Sequence, residues 1–481
     1  MRLSAFAPSR RRLLAGMGAA MIPAWALAAG PVSPLMQTLS AYMSAASRRP
    51  LPREVRENTA QHILDTLAAM ISGATLAPGQ FDLRFARDYQ DGKSCTVVGS
   101  MLLCGPMEAA LVNALLAHSD ETDDSHPASE SHPGAPVVAA ALAAGERFSV
   151  SGEAFLRAVT LGYDIGPRFA ATLGKLEYMA ASHRSTHALS GIFGATAAAG
   201  SAAGLNESQM RWLLSYAAQQ SSGLASWQRD IDHIEKAFDF AGMAARDGVT
   251  AALMVHDGAT GVDDILSGAD SFFQAFAPMH DPAMVVDGLG ERYEVTRTSI
   301  KKWTVGSPIQ APLDAMERLL PKIPSAAQVK AVTVKVAAGE ATIVDNRFLP
   351  DICLQHMLAV MLVDRTVTFK SAHDVARMKD PAILRERAKI TLVHDEDLQR
   401  LLPARVAIVE ISMADGAKIS ERIMSVKGTA QNPMSSVEVV AKARDLIEPV
   451  LGAAKFTALV ERIFNLDKVA SISQLRQLLQ A

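Results

Sequence analysis

The stretch of residues 107–144, MEAALVNALLAHSDETDDSHPASESHPGAPVVAAALAA, predicts a helix, a polar loop and a second helix. Apolar residues recur at helical spacing before the loop, and an alanine-rich aliphatic segment follows it. Five carboxylates and three histidines lie between His118 and His132, and neither lysine nor arginine occurs between Glu108 and Arg147. The loop is therefore the first place to look for chemistry, and its flanks indicate a helical surrounding.

Helical periodicity extends on both sides of this stretch, from about residue 34 to residue 275. Further helices are predicted over residues 56–70, 154–161, 188–203, 208–218 and 241–254. Alanine and glycine dominate these segments, and small side chains allow helix axes to approach closely. No fixed-period repeat is evident, so we predict a compact helical bundle and not a solenoid.

The pattern changes near residue 285. Alternating or β-branched segments predict strands over residues 329–336, 388–393, 406–413 and 419–426. Asp415-Gly416 lies between the last two and is a hairpin signal. Helices are predicted between the strands over residues 310–320 and 352–362, and at the end of the chain over residues 437–451, 458–464 and 471–479.

These elements predict a two-domain protein. We expect a large all-α helical domain over residues 33–278 and a smaller α+β domain over residues 285–430. The C-terminal helices, residues 435–481, are expected to pack back onto the helical domain, which makes that domain discontinuous.

Composition excludes several classes of protein. The chain has 481 residues, 49% of them hydrophobic, with 47 basic and 50 acidic side chains. Such a balance disfavours a nucleic-acid partner, which needs a basic face. Three cysteines without CxxC spacing argue against a disulfide framework or a cysteine-ligated metal centre. Beyond the N-terminus no apolar run approaches the ~18–20 residues of a membrane helix, so no integral membrane segment is expected.

The N-terminus is predicted to be an export signal. Residues 9–14, SRRRLL, open an uncharged apolar segment that extends to Leu27, and Ala26-Leu27-Ala28 matches a signal-peptidase site. Paired arginines after a serine are typical of the twin-arginine signal, and an ordinary secretory signal is the alternative. We predict a signal peptide over residues 1–28 and a periplasmic mature protein.

The acidic–histidine loop allows three interpretations. It is a solvated acidic loop, a divalent-metal site built from carboxylate and imidazole ligands, or an acid/base site that also positions a substrate. The spacing fits neither an EF-hand nor an HExxH motif. Crowded carboxylates raise one another's pKa, which suits proton transfer near neutral pH, so we favour the acid/base site.

The order of motifs along the chain resembles the MmgE/PrpD family, which includes 2-methylcitrate dehydratase, cis-aconitate decarboxylase and iminodisuccinate epimerase. The matching positions span nearly the whole mature chain. They are Asn113, His118, Glu121, Asp123-Asp124-Ser125, His132-Pro133, Glu146, Gly162-Tyr163-Asp164, Arg168, His187, Lys236, Gly242, Gly248 and Lys301-Lys302-Trp303.

The resemblance implies a cofactor-independent lyase or isomerase, without a metal, that moves a proton next to a carboxylate. The expected partner is a small di- or tricarboxylate substrate, and the expected assembly is a homodimer. The residues expected to be catalytic are His132, His187, Asp123 and Lys301. Those expected to bind the substrate are Glu121, Ser125, Lys236, Trp303 and Gln310.

The chain departs from the family pattern at one wall of the expected site. Gly306 stands where dehydratase-like and decarboxylase-like members have a histidine, and Ile343 lies near the position of a tyrosine. Trp303 or Gln310 is the expected replacement. The departure leaves the reaction class in place but weakens any assignment of the substrate.

Two alternatives to the cofactor-free enzyme remain open. One is an exported carboxylate-binding protein on a degenerate lyase scaffold, because fold resemblance alone does not establish activity. The other is a metal-dependent enzyme that uses the acidic–histidine loop. A prenyl-diphosphate enzyme is disfavoured, because aromatic residues make up only 5% of the chain.

Overall fold

The computed structural model describes residues 31–277 and 280–481, and for Lys175 and Leu176 it describes only the backbone. The predicted signal peptide lies outside the described residues. Among the helices that are described, none combines the length and the apolar character needed to cross a membrane.

The first part of the chain is helical, apart from a short antiparallel ribbon of β1 (Cys95–Thr96) and β2 (Leu103–Cys104). A π-helical turn, Phe238–Gly242, joins α10 to α11. The helices are α1 (Pro34–Ala45), α2 (Arg53–Gly73), α3 (Ala77–Asp88), α4 (Pro106–Ala117), α5 (Gly134–Arg147), α6 (Gly152–Thr172), α7 (Lys175–Ser182), α8 (Thr186–Ala202), α9 (Glu207–Gln219), α10 (Ile234–Ala237), α11 (Met243–His256), α12 (Phe272–Phe276) and α13 (Ala283–Val286).

Small residues set the spacing of the central helices. A Cβ atom added to Gly162 on α6 would lie 2.8 Å from the carbonyl oxygen of Gly194 on α8, and one added to Gly194 would lie 2.9 Å from the carbonyl oxygen of Gly162. The two backbones therefore touch directly, which only glycine permits. The alanine- and glycine-rich texture of the sequence thus corresponds to close helix packing, as predicted.

The second part of the chain forms a four-stranded mixed sheet with helices. The strand order is β4-β3-β5-β6, with β3 parallel to β4 and antiparallel to β5. In chain order the elements are α14 (Ser307–Leu319), β3 (Val329–Ala337), α15 (Ala338–Val344), α16 (Leu354–Asp364), α17 (Phe369–Ala372), α18 (Pro381–Arg387), β4 (Ile390–Asp395), α19 (Glu396–Gln399), β5 (Ala407–Met413) and β6 (Lys418–Ile423).

The chain ends in α20 (Ser436–Phe464) and α21 (Arg476–Leu479). Buried apolar residues of α20 belong to the same hydrophobic core as α1 to α9 and α11 to α13, whereas residues between 303 and 426 form a separate core. The C-terminal helices therefore lie on the helical part, and the chain is mostly helical with a small α+β part.

The predicted elements are present with adjusted ends. The predicted hairpin turn at Asp415-Gly416 joins β5 to β6, with Gly416 at φ = +92°. The last predicted strand was too long, because β6 ends at Ile423. The first two residues of the helix predicted over residues 241–254 belong to the π-helical turn, and the C-terminal helix is interrupted at Gly452, where φ is +80°.

Candidate active site

One aspartate anchors the acidic–histidine loop to the helical core. Asp124 is fully buried and accepts hydrogen bonds from Nδ1 of His62 (2.7 Å), the hydroxyl of Tyr163 (2.5 Å) and the backbone N–H of Gly134 (2.9 Å). These donors lie on α2, on α6 and at the start of α5. Because each is a buried polar group that needs a partner, the carboxylate fixes where the loop leaves the core.

The C-terminal helix holds the same loop from another side. Lys442 on α20 donates to the carbonyl oxygen of Thr122 at 3.0 Å and forms an ion pair with Asp65 on α2 at 2.6 Å. The loop is thus fixed by residues that are more than 300 positions apart in the sequence.

The neighbouring aspartate organises two histidines. Oδ2 of Asp123 lies 2.9 Å from Nδ1 of His118, and Oδ1 lies 3.1 Å from Nδ1 of His132. Burial opposes ionisation of Asp123, but its interactions with His118, His132 and Lys301 outweigh burial and hold the pKa of this carboxyl well below its usual value. The ionised carboxylate accepts the Nδ1–H groups of both rings, so both rings turn their Nε2 atoms away from Asp123.

Only one histidine of this pair is reachable. The His118 side chain is fully buried, whereas the His132 side chain keeps 11% of its exposure. Burial lowers the pKa of His132 in spite of the adjacent Asp123 carboxylate. His132 is therefore a neutral imidazole near neutral pH, with a fixed tautomer and an accessible Nε2 atom.

Phe240 and Trp227 form an aromatic wall, and His187 packs against it. The π-helical turn places Phe240 against His187, with ring centroids 3.7 Å apart, and against His118 at 4.6 Å. Trp227 meets His187 edge to face at 5.4 Å, and the rings of His132 and His187 are also 5.4 Å apart. Burial, and then the neighbouring His132, lower the pKa of His187 far below its usual value. π-helical turns occur frequently at functional sites, and this one shapes the histidine cluster.

Two lysines converge on Glu121. Nζ of Lys236 forms a direct ion pair with Oε1, and Nζ of Lys301 lies 3.7 Å from Oε2 while it donates to the backbone carbonyl of Glu121 at 2.7 Å. Lys301 is also 3.6 Å from Asp123. Burial opposes ionisation of Glu121, but Lys236 and Lys301 outweigh it and hold its pKa well below the usual value. Lys236 and Lys301, which are expected to face substrate carboxylates, are thus held in position by the loop.

Several imidazole nitrogens at this cluster lack a partner. Nε2 of His118, Nδ1 of His187 and Nε2 of His233 are buried and have no hydrogen-bond partner in the part of the chain that the structure describes. His233 packs beside His118, and burial lowers the pKa of His233 to about 3. Buried polar atoms are normally paired, so a concentration of unpaired ones indicates a place built for a ligand.

The second domain also contacts the acidic–histidine loop. Nε2 of His373, which directly follows α17, forms an ion pair with Asp120 at 2.9 Å. Although burial opposes it, Asp120 raises the pKa of His373 to about 9. Asp351, in the short 3-10 turn Pro350–Ile352 that precedes α16, accepts the backbone N–H of Gly306 through its carbonyl oxygen at 3.0 Å.

Three of the residues predicted to bind substrate lie apart from the histidines. Ser125 pairs through its backbone with Ser299 and lines a cavity of about 370 Å³ together with Lys301 and Gln310. Gln310 bonds to the backbone of Trp303 and Val305, and so holds the turn before α14. The Trp303 indole N–H donates to Asp314 at 2.9 Å. Their roles in binding substrate remain predictions.

The structure brings together His132, His187, Asp123, Lys301, Glu121 and Lys236, and it adds residues to which the sequence analysis gave no role. The additions are His118, His233, Phe240 and His373. His118 stood in the quoted loop and was a visible candidate. The others follow no motif, because only the fold brings them to the loop.

One group of residues offers a metal-binding arrangement. Ligand atoms of His118, Asp123 and His132 all lie within 4.8 Å of one another. Imidazole and carboxylate suit zinc and related cations. Both Nδ1 atoms already lie at hydrogen-bond distance from Asp123, so a cation would have to replace those two hydrogen bonds.

This geometry suits acid/base chemistry on a carboxylated substrate, and comparison with known proteins agrees. Residues 37–284 match the MmgE/PrpD N-terminal domain and residues 303–467 match the MmgE/PrpD C-terminal domain. The chain therefore belongs to the MmgE/PrpD family.

Curated relatives of the chain are named as cis-aconitate decarboxylases or as a protein like them. A cis-aconitate decarboxylase of Aspergillus terreus is 25% identical over 468 residues, which cover 89% of this chain and 92% of the relative. The cis-aconitate decarboxylase of Homo sapiens is 24% identical over 459 residues, which cover 89% and 91%. A cis-aconitate decarboxylase-like protein of Aspergillus oryzae is 24% identical, with 89% and 94% covered. These similarities support a lyase-type enzyme as the coarse function.

Proposed function

We propose that the protein is a cofactor-independent lyase that transfers a proton at a carbon next to a carboxylate of a small di- or tricarboxylate. The observation that carries the proposal is the Asp123–His132 pair. A buried, ionised carboxylate holds Nδ1–H of the imidazole, which leaves Nε2 as a neutral base with access to the site. This is the arrangement that general acid/base catalysis requires.

The flanking cations supply the second half of the chemistry. Removing a proton or carbon dioxide next to a carboxylate builds negative charge on that carboxylate, and fixed cations stabilise it most effectively in a water-poor site. Lys236 lies beside Phe240 and Trp227, with Nζ 5.2 Å and 5.6 Å from the ring centroids. Lys236 therefore lies against the aromatic wall, where a substrate would lie against His187.

The first substrate to test is cis-aconitate, because the curated relatives are named for its decarboxylation. The absence of the family histidine at Gly306 makes 2-methylcitrate and iminodisuccinate necessary comparisons, since dehydration and epimerisation also begin with a proton next to a carboxylate. Isomerase activity is thus the second form of the same proposal.

Proton NMR of the purified mature protein in D₂O with these acids tests the proposal. We expect elimination, decarboxylation or exchange of the α-proton, and we expect it to persist in EDTA. Activity that EDTA abolishes and Zn²⁺ restores would favour the metal-dependent alternative, which the His118, Asp123 and His132 group supports. Binding without exchange would favour the carboxylate-binding protein.

We further propose that the enzyme acts in the periplasm as a homodimer. The supports are the twin-arginine pattern of residues 9–14 and the family membership. Fractionation of cells that express the full chain, with a variant in which Arg10, Arg11 and Arg12 are replaced by lysine, tests the location. Light scattering of the mature protein tests the assembly, and a monomer mass would contradict it.

A further inference from the structure

The two histidines expected to be catalytic are held in different ways. Nδ1 of His132 lies 3.1 Å from the carboxylate of Asp123, which fixes the direction of the ring. Nδ1 of His187 is buried and has no hydrogen-bond partner among the residues that the structure describes. Its ring instead stacks on Phe240 at 3.7 Å and meets Trp227 edge to face at 5.4 Å. The orientation of His187 therefore depends on where the aromatic wall lies.

The wall and the histidine come from three separate segments of the chain. His187 lies in the first turn of α8, Phe240 in the π-helical turn, and Trp227 in the 3-10 turn Ala225–Arg229. Their relative positions must be fixed by contacts between these segments, because no single helix contains all three rings.

Asp239 lies where the three segments meet. It precedes Phe240 in the π-helical turn and is 6% exposed. Its carboxyl group accepts a hydrogen bond from the hydroxyl of Ser185, which caps α8 by accepting the N–H of Ala188 at 3.3 Å. The chain that leads to the 3-10 turn packs on the same carboxyl group, since a Cβ atom added to Gly223 would lie 2.8 Å from Oδ1 of Asp239. One buried side chain thus touches all three segments.

The choice of a carboxyl group at this place has a physical cost. Burial raises the pKa of Asp239 to about 7, and the hydrogen bond from Ser185 acts against that rise. An apolar side chain could fill the space without this cost. It would not fix the start of α8, however, because hydrogen bonds are directional and hydrophobic contacts are not. The carboxyl group therefore suits a position where orientation matters.

We propose that Asp239 is a positioning residue of this enzyme, which holds His187 against the aromatic wall through its contacts with Ser185 and Gly223. The inference rests on the proposed lyase function, in which His187 is expected to be catalytic. Asp239 acts on the reaction only through the direction of the His187 ring. Its loss should therefore lower kcat more than it changes KM, since small displacements of a reacting group slow a reaction steeply.

The test compares Asp239→Ala and Asp239→Asn with Asp82→Ala, a matched control that removes a buried acid, 3% exposed, from α3. We expect Asp239→Ala to lower kcat by about 10–100-fold and to change KM by less than about threefold. Asp239→Asn keeps an oxygen that accepts the Ser185 hydroxyl, so it should recover most of the activity. Asp82→Ala should keep the wild-type kcat.

Two further measurements test the route from Asp239 to His187. If Asp239 acts through Ser185, the losses of kcat in Asp239→Ala and Ser185→Ala should not multiply in the double variant. The ring protons of His187 lie in the ring current of Phe240, with which the ring stacks. Their NMR signals, assigned with His187→Gln, should shift in Asp239→Ala and return toward the wild-type positions in Asp239→Asn.

The outcomes separate this inference from the proposed function. A wild-type kcat and unshifted His187 signals in Asp239→Ala would overturn the positioning role and leave the lyase proposal standing. An equal loss of kcat in Asp82→Ala would also overturn it, because the effect would then be a general loss of stability. A wild type that turns over none of the acids would overturn both proposals. If circular dichroism shows that Asp239→Ala is unfolded, Ser185→Ala provides the same kinetic and NMR readouts.

Discussion

Asp123 and Asp124 are adjacent, chemically identical and fully buried, yet they belong to two different regions of the loop. Asp124 faces the core, where His62, Tyr163 and Gly134 donate to its carboxylate. Asp123 faces the site, where it holds His118 and His132. The core side is a closed network, whereas the site side ends in imidazole nitrogens that have no partner among the described residues. The difference teaches that satisfied polar groups anchor the loop and unsatisfied ones mark its chemistry.

The sharpest test of this comparison is His132→Asn. Removing the general base should lower kcat by about 10²–10⁴-fold, because only transition-state proton transfer is lost. The thermal midpoint should change little, since the His132 side chain is partly exposed. His256→Gln, at an exposed position on α11, is the matched control. Turnover that survives in His132→Asn would remove this residue from the mechanism.

The two aspartates should separate activity from stability. Asp124→Asn should cost about 2–4 kcal/mol of unfolding free energy. The amide N–H₂ group is a donor, so at least one buried donor that now bonds to the carboxylate would lose its acceptor. Asp123→Asn should instead shift the acid limb of the kcat profile to lower pH, because it removes the carboxylate that favours protonated His132. Urea unfolding and pH-rate profiles of both variants make the comparison. Equal losses of stability with the same pH profile would abolish the distinction.

The contact between the domains should depend on pH through His373. The folded-state pKa is raised to about 9 from the ordinary 6.5. The stabilisation is therefore complete below pH 6.5, declines as the pH rises, and is lost above about 9. His373→Gln should remove about 1–3 kcal/mol of stability at pH 6 and much less at pH 9.5. Unfolding curves measured at both pH values check this, and a pH-independent loss would contradict it.

The smallest expected effect belongs to Tyr163→Phe. It deletes one donor to Asp124 but leaves the donors from His62 and Gly134 in place. We expect a loss of about 1 kcal/mol of stability with kcat unchanged. A large loss of activity would show that the core side of the loop also takes part in the chemistry.

The sequence by itself determined the helical first part, the strands of the second part and the residues of the loop. These follow from local pattern: small apolar residues at helical spacing, alternation with a hairpin signal, and a dense run of carboxylates and histidines. The order of the motifs also identified the family. None of this required knowing which side of the chain any loop residue faces.

Only the tertiary structure decided how the loop is used. The family resemblance favoured Asp123 over Asp124 as a catalytic residue, but the physical reason for their different roles comes from α2, α6 and the histidines that pack against them. Lys442 and His373 reach the loop from positions more than 200 residues away, and no local signal marks them. Long-range packing brings these charges together in a buried site, where their proximity sets the pKa values and therefore the chemistry.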